Sequence, residues 1–406
     1  MADETQITSA PLPLDGIRII EFASFVAGPS AGMSLAQLGA DVIRVDPIGG
    51  NADVRRWPLS KRTGRSLYWT ALNRGKRSVT VDVRSEAGRD LLLALATAPG
   101  PDAGIVVDNA VGRDWFAYDA LRARREDVIA VRVQGRADGG PAVDYTVNGA
   151  MGMASLTGPS CTDAPVNHVL PAWDLLCGQQ VVTSVLAALR RRDRTGRGAL
   201  VEIALADVAA AAVADLGVYT EAAERGDRVR HGNHMYGSFG VDFATADADR
   251  VMIVALTPRQ WSAIGTATGM TEVLASLAES LGTDFATDEG RATHRLVIEA
   301  LLSPWFADRS TAQVQAALDA AGVLWGPYRS PAQVAAEPAS QPVLALLDQP
   351  GIGEVISSSS PARFDAQYSG TVPAPSLGDH TDAVLAEVLG LGDGELDRLR
   401  GDGVIG

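Results

Sequence analysis

The chain has 406 residues, 46% of them apolar and 21% charged, a globular balance with length for more than one core. Its formal net charge of −14 argues against nucleic acid or an anionic membrane as a bulk partner. Its two cysteines, Cys161 and Cys177, build no disulfide framework.

Met1–Gln6 has neither the basic nor the apolar run of a secretory leader. The alanine-rich stretch Ala204–Ala223 carries Asp207, Asp215 and Glu221, which a membrane span tolerates poorly, so a cytoplasmic protein is expected. Strand and helix patterns then alternate through the first third. Arg18–Phe22 reads as a buried strand, Pro29–Leu38 as a helix ended at Gly39, and Asp41–Asp46 as the next strand. Ser78–Asp82, Gly104–Asp108 and Val128–Val133 read as further strands, with helices over Glu86–Ala96 and Asp119–Arg124 between them. This order predicts an α/β fold on a doubly wound parallel sheet, which binds ligands at the carboxyl ends of its strands.

Residues 135–165 are rich in Gly, Asp, Pro and Ser and read as loops with one short helix. The apolar helix after Asp174 closes in the basic run Arg190–Gly198; a strand at Leu200–Leu205 and the alanine-rich helix follow. Glu224–Arg230 is a charged linker. Beyond it, strand Val251–Ala255 and helices near 258–268, 291–302 and 311–321 predict a smaller α+β domain. Pro327–Gln349 reads as a return linker, and the short helices Asp382–Leu389 and Glu395–Leu399 as docking on the first domain. The expected division is 1–224 for the large domain, 225–330 for the small one, and 331–406 returning to the first.

Asp174 lies in Pro171–Gly178, where a lone carboxylate opens a buried helix. It serves there either as an N-cap, for which Asp is favoured, or as a nucleophile. As a nucleophile it needs no base: with a reference pKa near ~3.9 it is ionised at neutral pH and can attack a thioester directly. Gly28 and Gly32, in Ala27–Gly32, either admit a phosphate to a helix start or pack helix on sheet; the G-x-G-x-x-G spacing of a nicotinamide site is absent. Arg74, Lys76, Arg77 and Arg84 either grip a polyphosphate or form a solvated basic turn. His231 and His234 lack a third ligand nearby, so no metal is expected. Cys177 is either a nucleophile with His168 as its base or a buried thiol.

On Leu14–Phe22, Leu38–Asp46, Leu72–Ser78, Leu186–Leu189 with Arg194–Gly198, and Leu377–Asp382, the chain resembles the family III CoA-transferases over nearly its whole length. The resemblance implies a Rossmann-like large domain, a smaller α+β domain, an interlocked homodimer and an acyl-CoA substrate. It places the family's nucleophilic aspartate, four residues before a glycine, on Asp174 and Gly178. The CoA-binding positions fall on Val26 and Ala27, on Val81 through Arg84, on Asn109, and on Pro141 through Asp144. A family arginine near the phosphates falls on Pro47, with Arg44 or Arg84 as its expected substitute. The racemase branch's histidine falls on Val143, which cannot carry a proton, so racemisation is disfavoured.

A closer similarity rests on Asp46–Gly50 with Arg56–Pro58, Val143–Asn148, Val166–Asp174, Gly232-Asn233 with Tyr236-Gly237, and Gln349–Gly353. It implies the members that move CoA between the C1 and C4 carboxyls of mesaconate, in the setting of the 3-hydroxypropionate cycle or a related C5-acyl-CoA route. No cofactor is then needed beyond the substrate's own CoA: no metal, no NAD. The spare carboxylate requires a cation, with Arg55, Arg56, Arg228 and Arg230 as candidates. Transfer to a separate acid, or a non-catalytic CoA-binding protein, are the alternatives.

Overall fold

The computed structural model describes residues 12–406; Met1–Gln6, read above for a leader, lies outside the described residues. The chain forms two units. One comprises the residues up to Met151, Val169–Glu221 and Glu337–Gly406, and the other Gly152–His168 and Ala222–Ala336.

In the first unit six strands form one sheet: β1 (Arg18–Phe22), β2 (Asp41–Asp46), β3 (Arg77–Thr80), β4 (Ile105–Asp108), β5 (Ile129–Gln134) and β6 (Ala199–Ala204). Their order is β3-β2-β1-β4-β5-β6, with every neighbouring pair parallel. The order reverses between β1 and β4, where a crevice opens at the strands' carboxyl ends. Every residue of β4 is buried, as a parallel strand covered on both faces requires.

The helices are α1 (Ala27–Gln37), α2 (Leu67–Leu72), α3 (Glu86–Ala96), α4 (Tyr118–Arg124), α5 (Asp144–Ala150), α6 (Met153–Leu156, in the second unit), α7 (Ala172–Thr195) and α8 (Leu205–Asp215). Consecutive strand residues face opposite ways. Ile19 thus packs with Leu35 of α1, Val181 of α7 and Ala209 of α8, while Ile20 packs with Leu92 of α3 and with Leu385 and Leu396 of the C-terminal helices. Among the described residues α7 alone is long and apolar enough to cross a membrane, yet its Cys177, Val181 and Val185 are fully buried in this core.

The second unit holds a three-stranded antiparallel sheet of Phe239–Ala244, Arg250–Ala255 and Leu324–Pro327, with helices on it. Its own core includes Phe243, Ile253, Ile298 and Phe306, the two phenylalanine rings stacking at 4.2 Å. The units change over at Glu221/Ala222 and Ala336/Glu337. The excursion Gly152–His168 has no counterpart in the sequence reading. It is fastened by Arg230, whose guanidinium donates to the carbonyl oxygens of Ser155, Thr162, Asp163 and Ala164.

Three local expectations need correction. The alanine-rich helix is two, α8 and α9 (Val218–Arg225), because Gly217 at φ 73° turns the chain left-handed between them. Residues 135–165 contain two short helices, not one. The return stretch includes an antiparallel hairpin, Leu344–Gln349 with Gly353–Ser358.

Candidate active site

A cavity of about 370 Å³ opens at the carboxyl ends of β1, β4, β5 and β6. Its walls come from the loop Ser24–Ala27, from Asn109 and Val111 after β4, from Val133 to Gly135 at the end of β5, from Ala142–Tyr145 at the start of α5, and from Pro171 and Asp174 at the start of α7. Arg56 and Leu205 complete it.

Asp174 is not the cap of its helix. α7 begins at Ala172 with Pro171 at the N-cap position, and Asp174 falls inside the first turn. The capping carboxylate comes from α5: Asp144 Oδ2 accepts from the main-chain N–H of Trp173 at 2.7 Å and of Asp174 at 3.1 Å. Asp144 is 1% exposed. The join is reinforced where Trp173 Nε1 donates to Asn148 Oδ1 at 3.1 Å. The Asp174 side chain is thereby left for chemistry. Burial, helped by the nearby Asp144 charge and opposed by Arg56, pushes its carboxyl up to about 6. It remains mainly ionised at neutral pH but is poorly solvated, a state that favours attack on carbon.

One turn later Gly178 lets α7 lie close against α1, since a Cβ there would run into Ser30 Oγ and the Ala27 carbonyl. The same reading applies to Gly28, whose Cβ would strike Ala23, and to Gly32, whose Cβ would strike the Glu21 carboxylate. These are packing glycines.

Arg56 is half-buried, its guanidinium 4.8 Å from the Tyr68 ring centre and 5.7 Å from that of Phe25. Its carbonyl accepts from Ser66 Oγ at 2.6 Å, and Ser66 also caps α2, which carries Tyr68. One serine thus fixes the arginine and its aromatic neighbour together. Burial raises the Tyr68 phenol, with Arg56 opposing and Asp174 adding to the rise.

Val26, Ala27, Asn109 and Asp144, read as CoA-binding positions, line the cavity. Asn109 also staples the loop, accepting from Ser24 N–H at 3.3 Å and donating to the Ser24 carbonyl at 3.2 Å. Other candidates fall elsewhere. Arg44 is 1% exposed, held by both oxygens of Asp46, by Asp53 and by Asn73, and belongs to a buried ion cluster with no guanidinium face left for a phosphate. Val81 is fully buried in the core and bridges Ile405. Arg84 is exposed after β3 and pairs with Asp82; Pro141 is exposed beside the cavity-lining Ala142.

Of the four carboxylate candidates, only Arg56 lines this cavity. Arg55 is exposed, although it adjoins Arg56 in sequence. Arg228 and Arg230 belong to the second unit. There Arg228 lies 3.6 Å over the Tyr236 ring and Arg230 holds backbone carbonyls.

The cations of the basic turn itself are engaged within the protein, and only Arg84 beyond it is exposed: Arg74 donates to the Ser358 carbonyl at 2.8 Å. Lys76 is 3% exposed and donates to both Glu21 oxygens at 2.9 Å, to the Pro29 carbonyl and to Asn73. Arg77 pairs with Asp41 and Glu387. Cys177 is the buried thiol, pushed up to about 12 by burial and by Asp174; His168 belongs to the second unit. His234 Nε2 lies 3.1 Å from Glu299 Oε2. Phe25, Asp53 and Tyr68 were missed in the sequence. Tyr68, two residues past the cap Ser66, carried the one readable signal.

The family model for CoA-transferase family III matches residues 14–381. The chain is 46% identical over 398 residues to a 2-methylfumaryl-CoA isomerase of Chloroflexus aurantiacus, covering 97% of each chain. It is 29% identical to a succinyl-CoA–D-citramalate CoA-transferase of the same organism, over 97% of this chain and 98% of that one. Its structure is similar to that of a CAIB/BAIF family protein from Brucella suis, with a TM-score of 0.76, 28% identity, and coverage of 93% of this chain and all of that one. With its sheet, its cavity and this match along nearly all its length, the chain belongs to CoA-transferase family III.

Proposed function

We propose that the chain moves CoA between the C1 and C4 carboxyls of 2-methylfumarate (mesaconate) within one molecule, with Asp174 as the acyl carrier. The observation that carries this reading is one cavity lined by a poorly solvated carboxylate, Asp174, and a single guanidinium, Arg56. A dicarboxylate joined to CoA at one end has a charged second end to place, and Arg56 suits it. The 46% identity to a 2-methylfumaryl-CoA isomerase supports the choice of acid.

Asp174 attacks the C1 thioester carbon; the C–S bond breaks, CoA leaves as thiolate, and a mixed anhydride forms. The thiolate adds to the aspartyl carbonyl, the bond from that carbonyl to the substrate oxygen breaks, and mesaconate is released beside an aspartyl thioester. The C4 carboxylate then attacks the aspartyl thioester; its C–S bond breaks, CoA leaves again as thiolate and a second mixed anhydride forms. The thiolate adds to the C4 carbon as the bond from that carbon to the Asp174 oxygen breaks, freeing Asp174. Each step exchanges one acyl bond for another, so the balance calls for no ATP, metal or NAD. In the first turn of α1 Pro29 has no N–H and the Ser30 N–H donates to the Val26 carbonyl, which leaves the N–H groups of Ala27 and Gly28, beside the cavity-lining Val26 and Ala27, as the candidate donors; such a donor stabilises a tetrahedral oxyanion by about 3 kcal/mol. Confinement keeps the released acid at high effective concentration. The reading carries a cytoplasmic homodimer with it, the second part open to light scattering.

The test incubates one regioisomer of mesaconyl-CoA without added acid. The native chain interconverts the isomers, Asp174→Ala does not, and hydroxylamine traps an aspartyl adduct only in the native chain. Labelled free mesaconate stays out of product; label in product would make the transfer intermolecular, and an untrapped Asp174 would leave a CoA-binding protein. Arg56→Ala should raise leakage of free mesaconate about tenfold, since positioning is what it removes.

A further inference from the structure

Arg56 follows a short 3-10 turn, Ala52–Arg55, and its main-chain N–H donates to the Asp53 carbonyl at 3.0 Å. The Asp53 side chain reaches the opposite side of the same seat: Oδ2 accepts from the Phe25 N–H at 3.0 Å. The Phe25 ring, with that of Tyr68, faces the Arg56 guanidinium. One residue thus grips the arginine through its backbone and the arginine's neighbour through its carboxylate.

That second grip has strain to resist. Phe25 sits at φ 70°, a left-handed conformation that strains a bulky residue. Asp53 is 1% exposed, and its buried charge is answered by Arg44 Nη2 at 2.9 Å on the same Oδ2. Arg44 is in turn fixed by Asp46 and Asn73. The buried ion cluster therefore ends, through Asp53, at the cavity loop.

We infer that Asp53 is a positioning residue: it holds the Phe25 backbone and so sets where the Arg56 guanidinium meets the spare carboxylate of the acid. This rests on Arg56 being the clamp. Both donors converge on Oδ2, whereas the buried Oδ1 has no partner. Asn keeps an oxygen where the donors meet and puts its amide nitrogen in the unclaimed place; Ala removes the acceptor.

The experiment is a double-mutant cycle read as isomerisation kcat, KM for mesaconyl-CoA and leakage of free mesaconate, with thermal unfolding alongside. Asp53→Ala should lower kcat about tenfold and raise the leak with little change in KM, and should add less than about twofold in the Arg56→Ala background. Asp53→Asn should lose only about threefold, and that loss too should vanish without Arg56. Equal losses in both backgrounds, or a native leak in folded Asp53→Ala, would overturn the inference. Should Asp53→Ala not fold, Asp53→Asn in the two backgrounds decides, a persisting loss overturning it. A native leak in Arg56→Ala alone fails the clamp reading itself; a leak there but not in Asp53→Ala fails only Asp53.

Discussion

Asp174 holds its proton more tightly in the folded chain than in the unfolded one, because burial outweighs the pull of Arg56. Ionising it therefore opposes folding, by on the order of 2 kcal/mol once partial exposure is allowed for. The opposition is absent below the ordinary value of 3.8 and complete above about 6. Asp174→Asn, which mimics the protonated acid, should unfold at a higher temperature than the native chain at about pH 8 and at the same temperature at about pH 3, while losing isomerisation. In the native chain kcat/KM should fall as pH drops through about 6, because the proposed nucleophile is the anion. Asp174 itself was legible as a carboxylate opening an apolar helix. Its cap was not, because Asp144 lies thirty positions away in sequence and meets it only in the fold. The choice of Arg56 over Arg55 was equally hidden: adjacent residues of one turn point differently, and no residue pattern states the turn's phase.

At the scale of elements, the site depends on α7 lying close to α1. Gly178 makes that approach possible, so Gly178→Ala should destabilise the chain by about 1–3 kcal/mol despite alanine's better helix propensity. A shift of α7 also displaces Asp174, and kcat should fall by about tenfold or more. Gly149 in α5 has open space around its missing Cβ, and Gly149→Ala should be neutral or stabilising by under about 1 kcal/mol. Thermal unfolding and steady-state rates of both variants check this pair. Strands such as Ile105–Asp108 were readable because a parallel sheet buried on both faces imposes continuous apolar runs. The break at Gly217 was obscured by the alanines on either side.

On the scale of the whole chain, each unit encloses its own apolar core. Phe306→Ala, removing a fully buried ring stacked on Phe243, should cost about 3–5 kcal/mol in the second unit. Calorimetry should then show one transition moving down while the other stays; a single transition shifting as a whole would mean that the units unfold together. The excursion 152–168 escaped sequence reading because its anchor is a side chain holding backbone carbonyls, which leaves no trace in hydrophobic periodicity.

Cys177 stands one helical turn from Asp174, the proposed acyl carrier. A free sulfhydryl so placed is a rival acceptor: were it a thiolate, it would capture the acyl group as a dead-end S-acyl cysteine. With its thiol pushed up to about 12 it is protonated at neutral pH and stays a spectator. Maleimide dyes should accordingly label the exposed Cys161 alone, leaving the turnover chemistry unblocked.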